Sequence, residues 1–92
     1  MSYHLTPLEV CQRLIGAPDK IAKICGLQEK ATYPWRRKSE WQDAGDIRAT
    51  KYQRALLTYA KANAIPLTPE HLIFGADSAE IDQLVASAQV AA

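Results

Sequence analysis

Residues 18 to 38 decide the fold: Pro18-Asp19-Lys20-Ile21-Ala22-Lys23-Ile24-Cys25-Gly26-Leu27-Gln28-Glu29-Lys30-Ala31-Thr32-Tyr33-Pro34-Trp35-Arg36-Arg37-Lys38. Pro18 suits the first position of a helix, where a missing N–H costs nothing. Ile21, Ala22 and Cys25 fall on one face, which predicts a short helix to about Cys25. Gly26 supplies the positive φ that a sharp helix end requires. Ala22 is small enough for a following element to press against it, and Leu27 plugs the corner. A further helix is predicted over 28–37, returning Trp35 to the core. Pro34 disturbs it, because proline removes a hydrogen bond and clashes with the preceding turn. The expectation is a kink, or a start nearer Ala31.

Toward the N-terminus, residues 1–5 read as a short polar lead-in. Thr6-Pro7-Leu8-Glu9 then carries a capping box with proline inside the first turn. Leu8, Cys11, Leu14 and Ile15 follow at helical spacing, and Gly16 ends that helix. Toward the C-terminus, 38–47 reads as a loop, with Ser39, Asp43, Gly45 and Asp46 as breakers. Trp41 within it is expected to fold back onto the core. The clearest amphipathic segment is 49–63. Tyr52, Ala55, Leu56, Tyr59 and Ala60 share one face, and Lys51, Arg54, Thr58 and Lys61 another. Ile65-Pro66-Leu67 is a break. Thr68-Pro69-Glu70-His71 repeats the first helix's start signal, with a short helix to Phe74 before Gly75. Asp77 or Ser78 caps a last helix with Ile81, Leu84, Val85 and Ala88 on one side, and Val90-Ala91-Ala92 is expected to fray. No run shows strand alternation. The predicted fold is all-α, a compact domain of five to six helices. Residues 1–75 form its main body, which holds the helix-turn-helix segment, and 76–92 a C-terminal helix and tail whose apolar stripe either packs on the same domain or serves as a dimerisation element.

A length of 92 residues with 48% hydrophobic content suits one domain with a real core. Net charge is only +1, but it is unevenly distributed. Lys30 and Arg36-Arg37-Lys38 form one basic set, and Arg48, Lys51, Arg54 and Lys61 another. Glu70, Asp77, Glu80 and Asp82 make the C-terminal part acidic. A duplex meets one face of a protein, so distribution outweighs the sum. Cys11 and Cys25 sit among apolar helical neighbours and read as free thiols of a reducing compartment. No basic-then-apolar leader opens the chain and no stretch approaches membrane-span length, so a cytoplasmic protein is expected.

Catalysis has no foothold: no glycine-rich phosphate loop, and no nucleophile placed beside a base. Ser2, Ser39, Ser78 and Ser87 fall in predicted caps, loops or tails. His4, Cys11, Cys25 and His71 lack metal-ligand spacing. No enzyme, metal or cofactor is expected.

Ile21-Ala22, Gly26-Leu27 and Trp35-Arg36-Arg37 resemble the helix-turn-helix of Cro and repressor regulators, often called the Xre family. The chain also resembles small regulators of alphaproteobacterial phages and phage-derived gene transfer agents. That likeness rests on Ile24-Cys25-Gly26, Trp35-Arg36-Arg37, Ala44-Gly45-Asp46-Ile47 and Leu67-Thr68-Pro69-Glu70-His71-Leu72-Ile73-Phe74-Gly75. Thr32 departs from the pattern, standing where an aliphatic residue usually anchors the second helix of the motif, and Pro34 follows it.

The resemblance implies a sequence-specific regulator of transcription, a repressor, bound to double-stranded DNA as a homodimer. The helix over 28–37 would then lie in the major groove. Its candidate DNA-binding residues are Gln28, Glu29, Lys30, Thr32, Tyr33, Arg36, Arg37 and Lys38. Gln28 is suited to adenine, and Lys30 or Arg37 to guanine. Glu29 is suited to cytosine, and Tyr33 to a phosphate or a thymine methyl. Arg36 and Lys38 are suited to phosphates, which position without reading sequence. The solvated-face reading is preferred for Lys51, Arg54 and Lys61, and the core reading for Tyr52 and Tyr59. The alternative function is an adaptor of the same fold without DNA readout, contacting RNA polymerase, a phage protein or a toxin.

Overall fold

The computed structural model describes residues 2–40 and 42–91, with side chains through 87. Five α-helices and one two-stranded antiparallel ladder make up the described chain. In order they are β1 (His4–Leu5), α1 (Pro7–Leu14), α2 (Pro18–Ile24), α3 (Thr50–Ala62), α4 (Pro69–Phe74), β2 (Ala76–Asp77) and α5 (Ser78–Ala91). A 3₁₀ turn, Tyr33–Arg36, lies between α2 and α3. Trp41 and its expected return to the core lie outside the described residues, as does Ala92. The helix α5 itself continues to Ala91.

Local chemistry sets the helix starts. The Thr6 hydroxyl accepts from the Glu9 amide at 3.3 Å, and the Glu9 carboxylate accepts from the Thr6 amide at 3.0 Å. This is the capping box expected of Thr6-Pro7-Leu8-Glu9. Helix α4 uses the same device with histidine in the glutamate's place. His71 Nδ1 accepts from the Thr68 amide at 3.1 Å, while the Thr68 hydroxyl accepts from the His71 amide at 3.3 Å. An accepting Nδ1 leaves the ring proton on Nε2, which faces Glu80 Oε1 at 3.5 Å. At the start of α5, Asp77 Oδ1 accepts from the Ala79 amide at 2.9 Å.

The core is assembled from every part of the chain. Leu5, Leu8, Val10, Cys11, Ile21, Ile47, Leu56, Ala60, Leu72 and Ile81 form one buried cluster. Helix α1 packs on α2, α4 and α5, and α3 packs on α2 and α4. Ile81 is fully buried, and Leu84 and Val85 are half-buried against the same cluster. The apolar stripe of α5 through Val85 therefore packs on its own domain. Residues 76–87 share the core of the main body.

Two expectations need correction. The first is the all-helical reading. His4 pairs with Asp77 and Leu5 with Ala76, and the Tyr3 carbonyl accepts from the Ser78 amide at 2.7 Å. Leu5 is in the core, so residues 4–5 are not a polar lead-in. Strands of two residues are too short to show the alternation that betrays longer ones.

The second is the helix over 28–37, which is not α-helical. Successive turns close instead with three-residue hydrogen bonds, from Ala31 to Gln28, Tyr33 to Lys30, Trp35 to Thr32 and Arg37 to Pro34, at 3.0–3.1 Å. Pro34 has no N–H to continue a helix, and its ring disfavours the α region for Tyr33. The residues before it tighten into turns rather than extending a regular coil.

Candidate nucleic-acid interface

The entry to the site forms as its residues demand. Helix α2 ends with the Gly26 amide donating to the Lys23 carbonyl at 3.0 Å and the Leu27 amide to the Ala22 carbonyl at 2.9 Å. Gly26 has φ +75°. This is the paired closing arrangement in which glycine's left-handed backbone turns the chain sharply away. Ala22 is fully buried, as a tight corner requires.

Beyond the corner, Gln28, Glu29 and Lys30 are exposed. Thr32 is not: it is fully buried, and its hydroxyl donates to the Pro18 carbonyl at 3.5 Å. Its assignment to the contact surface is corrected accordingly. Thr32 pins the turn to the start of α2, because a buried hydroxyl must find a partner. Tyr33 is 43% exposed, with the Arg36 guanidinium carbon 4.6 Å from its ring centroid. That cation–π contact orders the arginine while leaving it in water. Arg36, Arg37 and Lys38 are all exposed.

The turn is held from behind. The Trp35 carbonyl accepts from the Gly45 amide at 2.7 Å and from Gln42 Nε2 at 3.3 Å, and Gln42 also reaches the Arg37 carbonyl at 3.4 Å. The Gly45 carbonyl in turn accepts from the Leu8 amide at 2.9 Å. A loop thus staples the 3₁₀ turn to α1.

An aromatic pair ties this turn to the start of α3. Trp35 stacks on Tyr52 of α3 with ring centroids 5.5 Å apart and planes 27° apart. Lys51 Nζ lies 5.2 Å from the Tyr52 ring centroid. Arg48 lines the same hollow as Trp35, Gln42, Ala49 and Tyr52. Arg48 therefore shares a hollow with Trp35 of the turn and Lys51 lies over Tyr52, whereas Arg36 lines a separate hollow with Glu9 and Gln12 of α1. Farther along α3, Lys20 Nζ lies 5.6 Å from the Tyr59 ring centroid. Lys61 stands ten residues beyond Lys51, about 15 Å along the helix axis. It is not part of the Arg36–Lys38 cluster.

Sequence reasoning alone does not group Lys51 and Arg48 with the turn. The signal that could have done so is the aromatic pair itself, since Trp35 and Tyr52 each read as core residues but nothing local pairs them. Ten of the eleven Lys and Arg residues lie between positions 18 and 61, against five of the ten acidic residues. Glu29, Glu40 and Asp43 are exposed within this region and moderate its field.

Cys11 is buried and Cys25 half-buried, both as free thiols. Burial pushes Cys11 up to about 12, with Cys25 nearby adding to the effect, and burial pushes Cys25 up to about 11. Neither is an activated nucleophile. Among the described residues, no three His, Cys, Asp or Glu side chains gather in a way that holds a metal ion. No helix among them is long and apolar enough to cross a membrane. Comparison with protein-family models, curated proteins and solved structures finds no match to this chain.

Proposed function

We propose that this protein is a cytoplasmic transcription regulator of the Cro/repressor type, binding double-stranded DNA as a homodimer and repressing by occupancy. The observation that carries the reading is the junction made by the Trp35–Tyr52 stack. It joins the turn that carries the exposed Arg36-Arg37-Lys38 run to the start of α3, where Lys51 lies over Tyr52 and Arg48 lines the hollow between the two rings. Clustered cations over a stapled turn suit a polyanion, because phosphate neutralisation releases counterions. Arg36, Lys38 and Lys51 hold phosphates. Gln28, Lys30, Tyr33 and Arg37 remain the candidates for base edges, presented from turns rather than from an α-helix. Two copies on paired half-sites supply contacts that one small module lacks.

The test is binding to duplexes from the protein's own promoter region over a salt series. Arg36→Ala/Arg37→Ala/Lys38→Ala should lower affinity and flatten the slope of log K against log salt, by about 0.9 for each phosphate no longer neutralised. Arg37→Ala alone should cost about 1–3 kcal/mol on the specific site if it reads a guanine. Unchanged binding by the triple variant would overturn the docking.

A second reading is an adaptor of this fold that contacts a protein and reads no DNA. The departure of 28–37 from an α-helix is the observation in its favour. It requires that no duplex, specific or random, binds with a salt-dependent slope.

A further inference from the structure

Large apolar side chains are exposed in the acidic C-terminal part of the chain. Ile73 is 60% exposed and Phe74 70%, at the end of α4. Beside them is a groove of about 390 Å³ lined by Pro66, Leu67, Phe74 and Leu84, with Glu70 and Glu80 at its edge. The exposed ionisable groups lining it are both carboxylates, and no Lys or Arg contributes. His71, which also lines it, is buried and committed to the α4 cap and to Glu80. Asp77 is exposed just beyond, in β2. Exposed Leu, Ile or Phe residues scattered singly need no explanation, but an exposed aromatic ring that lines an apolar groove beside Pro66, Leu67 and Leu84 marks an interaction surface.

Charge decides the occupant. A two-fold pairing of this surface with a second copy would bring four carboxylates, Glu70 and Glu80 of each copy, into one interface to which the groove contributes no Lys or Arg, an arrangement that like-charge juxtaposition penalises. DNA and anionic lipid are excluded by the same sign. We propose that this groove docks a basic amphipathic helix of a protein partner, its apolar stripe against Phe74, Pro66 and Leu84 and its cations against Glu70 and Glu80. Helix-in-groove recognition of this kind anchors on residues at i, i+3 or i+4, and i+7. The surface is independent of the basic face, so a DNA-bound copy still presents it to a protein.

The probe is a labelled helical peptide of about 14 residues, close to four turns, with Leu at i, i+3 or i+4, and i+7 and Lys elsewhere. Two controls keep its length: one replaces every Lys by Glu, the other every Leu by Ser. Fluorescence anisotropy with the full chain should show saturable binding of the Leu/Lys peptide and none of the Leu/Glu peptide. Phe74→Ala should weaken binding about tenfold, as truncation of a central aromatic anchor does. Glu70→Gln/Glu80→Gln should weaken it about three- to tenfold and remove its salt dependence. Glu80→Gln retains a hydrogen-bond acceptor for His71. Duplex binding by these variants should stay at the wild-type level.

Failure of the Leu/Lys peptide to bind overturns the proposal. So does equal binding of the Leu/Glu or Ser/Lys peptide, or indifference to Phe74→Ala. Concentration-dependent self-association abolished by Phe74→Ala would identify a second copy as the occupant and also overturn it.

Discussion

Individual residues hold this fold at points where little substitution is tolerated. Gly45 has φ +82°, and a Cβ there would run into the Thr6 side chain. Gly26 has φ +75° with open space around it. Gly26→Ala should therefore cost only the left-handed backbone penalty, about 1–2 kcal/mol. Gly45→Ala adds displacement of the Thr6 cap, worth about 1 kcal/mol more. Denaturant midpoints of the two variants should fall in that order, and equal losses would refute the packing of Thr6 on Gly45. The thiols make a second prediction. An unfolded thiol ionises near 9, whereas the fold holds Cys11 to about 12 and Cys25 to about 11. Above pH 9 the unfolded chain releases protons that the fold keeps, so their contribution is complete below pH 9 and is lost as pH rises toward 12. Stability measured across that window should fall, and less steeply in Cys11→Ala. At pH 8 native Cys25 should react with a disulfide reagent about 100-fold more slowly than in denaturant, and Cys11 about 1,000-fold, following the thiolate fraction.

Between elements, the 3₁₀ turn depends on its staple. Gln42→Ala removes the side-chain bonds to the Trp35 and Arg37 carbonyls. Amide exchange over 35–38 should accelerate, with global stability reduced by less than about 1.5 kcal/mol, the net value of a hydrogen bond. Exchange as slow as in the wild type would show that the Gly45 bond alone suffices. The same elements show what a sequence discloses. Helix starts at Pro7 and Pro69, and the α2 end at Gly26, are legible because their chemistry is local: a hydroxyl, a proline or a glycine acting within four residues. The 3₁₀ turn is half legible. Pro34 announces a disturbance, but its size depends on Thr32 bonding to Pro18, fourteen residues away. The β1–β2 ladder joins residues about seventy positions apart, and nothing in either dipeptide marks the other. Separation along the chain also hides the candidate site, since nothing local joins the turn at Trp35 to the start of α3 at Tyr52.

For the whole molecule, charge is divided by the fold into poles. The basic pole is the segment from α2 through α3, with ten Lys and Arg against five acidic residues, and the acidic pole is the segment from α4 through α5, with Glu70, Asp77, Glu80 and Asp82 and no Lys or Arg. Net charge of +1 hides this division, and a duplex responds to the pole rather than the sum. The division also separates the proposed duplex face from the Phe74 groove. Double changes across the two poles should therefore act additively on duplex and peptide affinities within about 0.5 kcal/mol, as distant sites do. The central claim is sequence-specific duplex binding by the basic pole. Its most direct test is selection of bound sequences from a random duplex pool with the full chain. The predicted result is an enriched palindrome with half-site centres about 10 base pairs, or one turn, apart. That enrichment should vanish for Arg36→Ala/Arg37→Ala/Lys38→Ala. A pool that remains unenriched, with no salt-dependent duplex binding, would contradict the account.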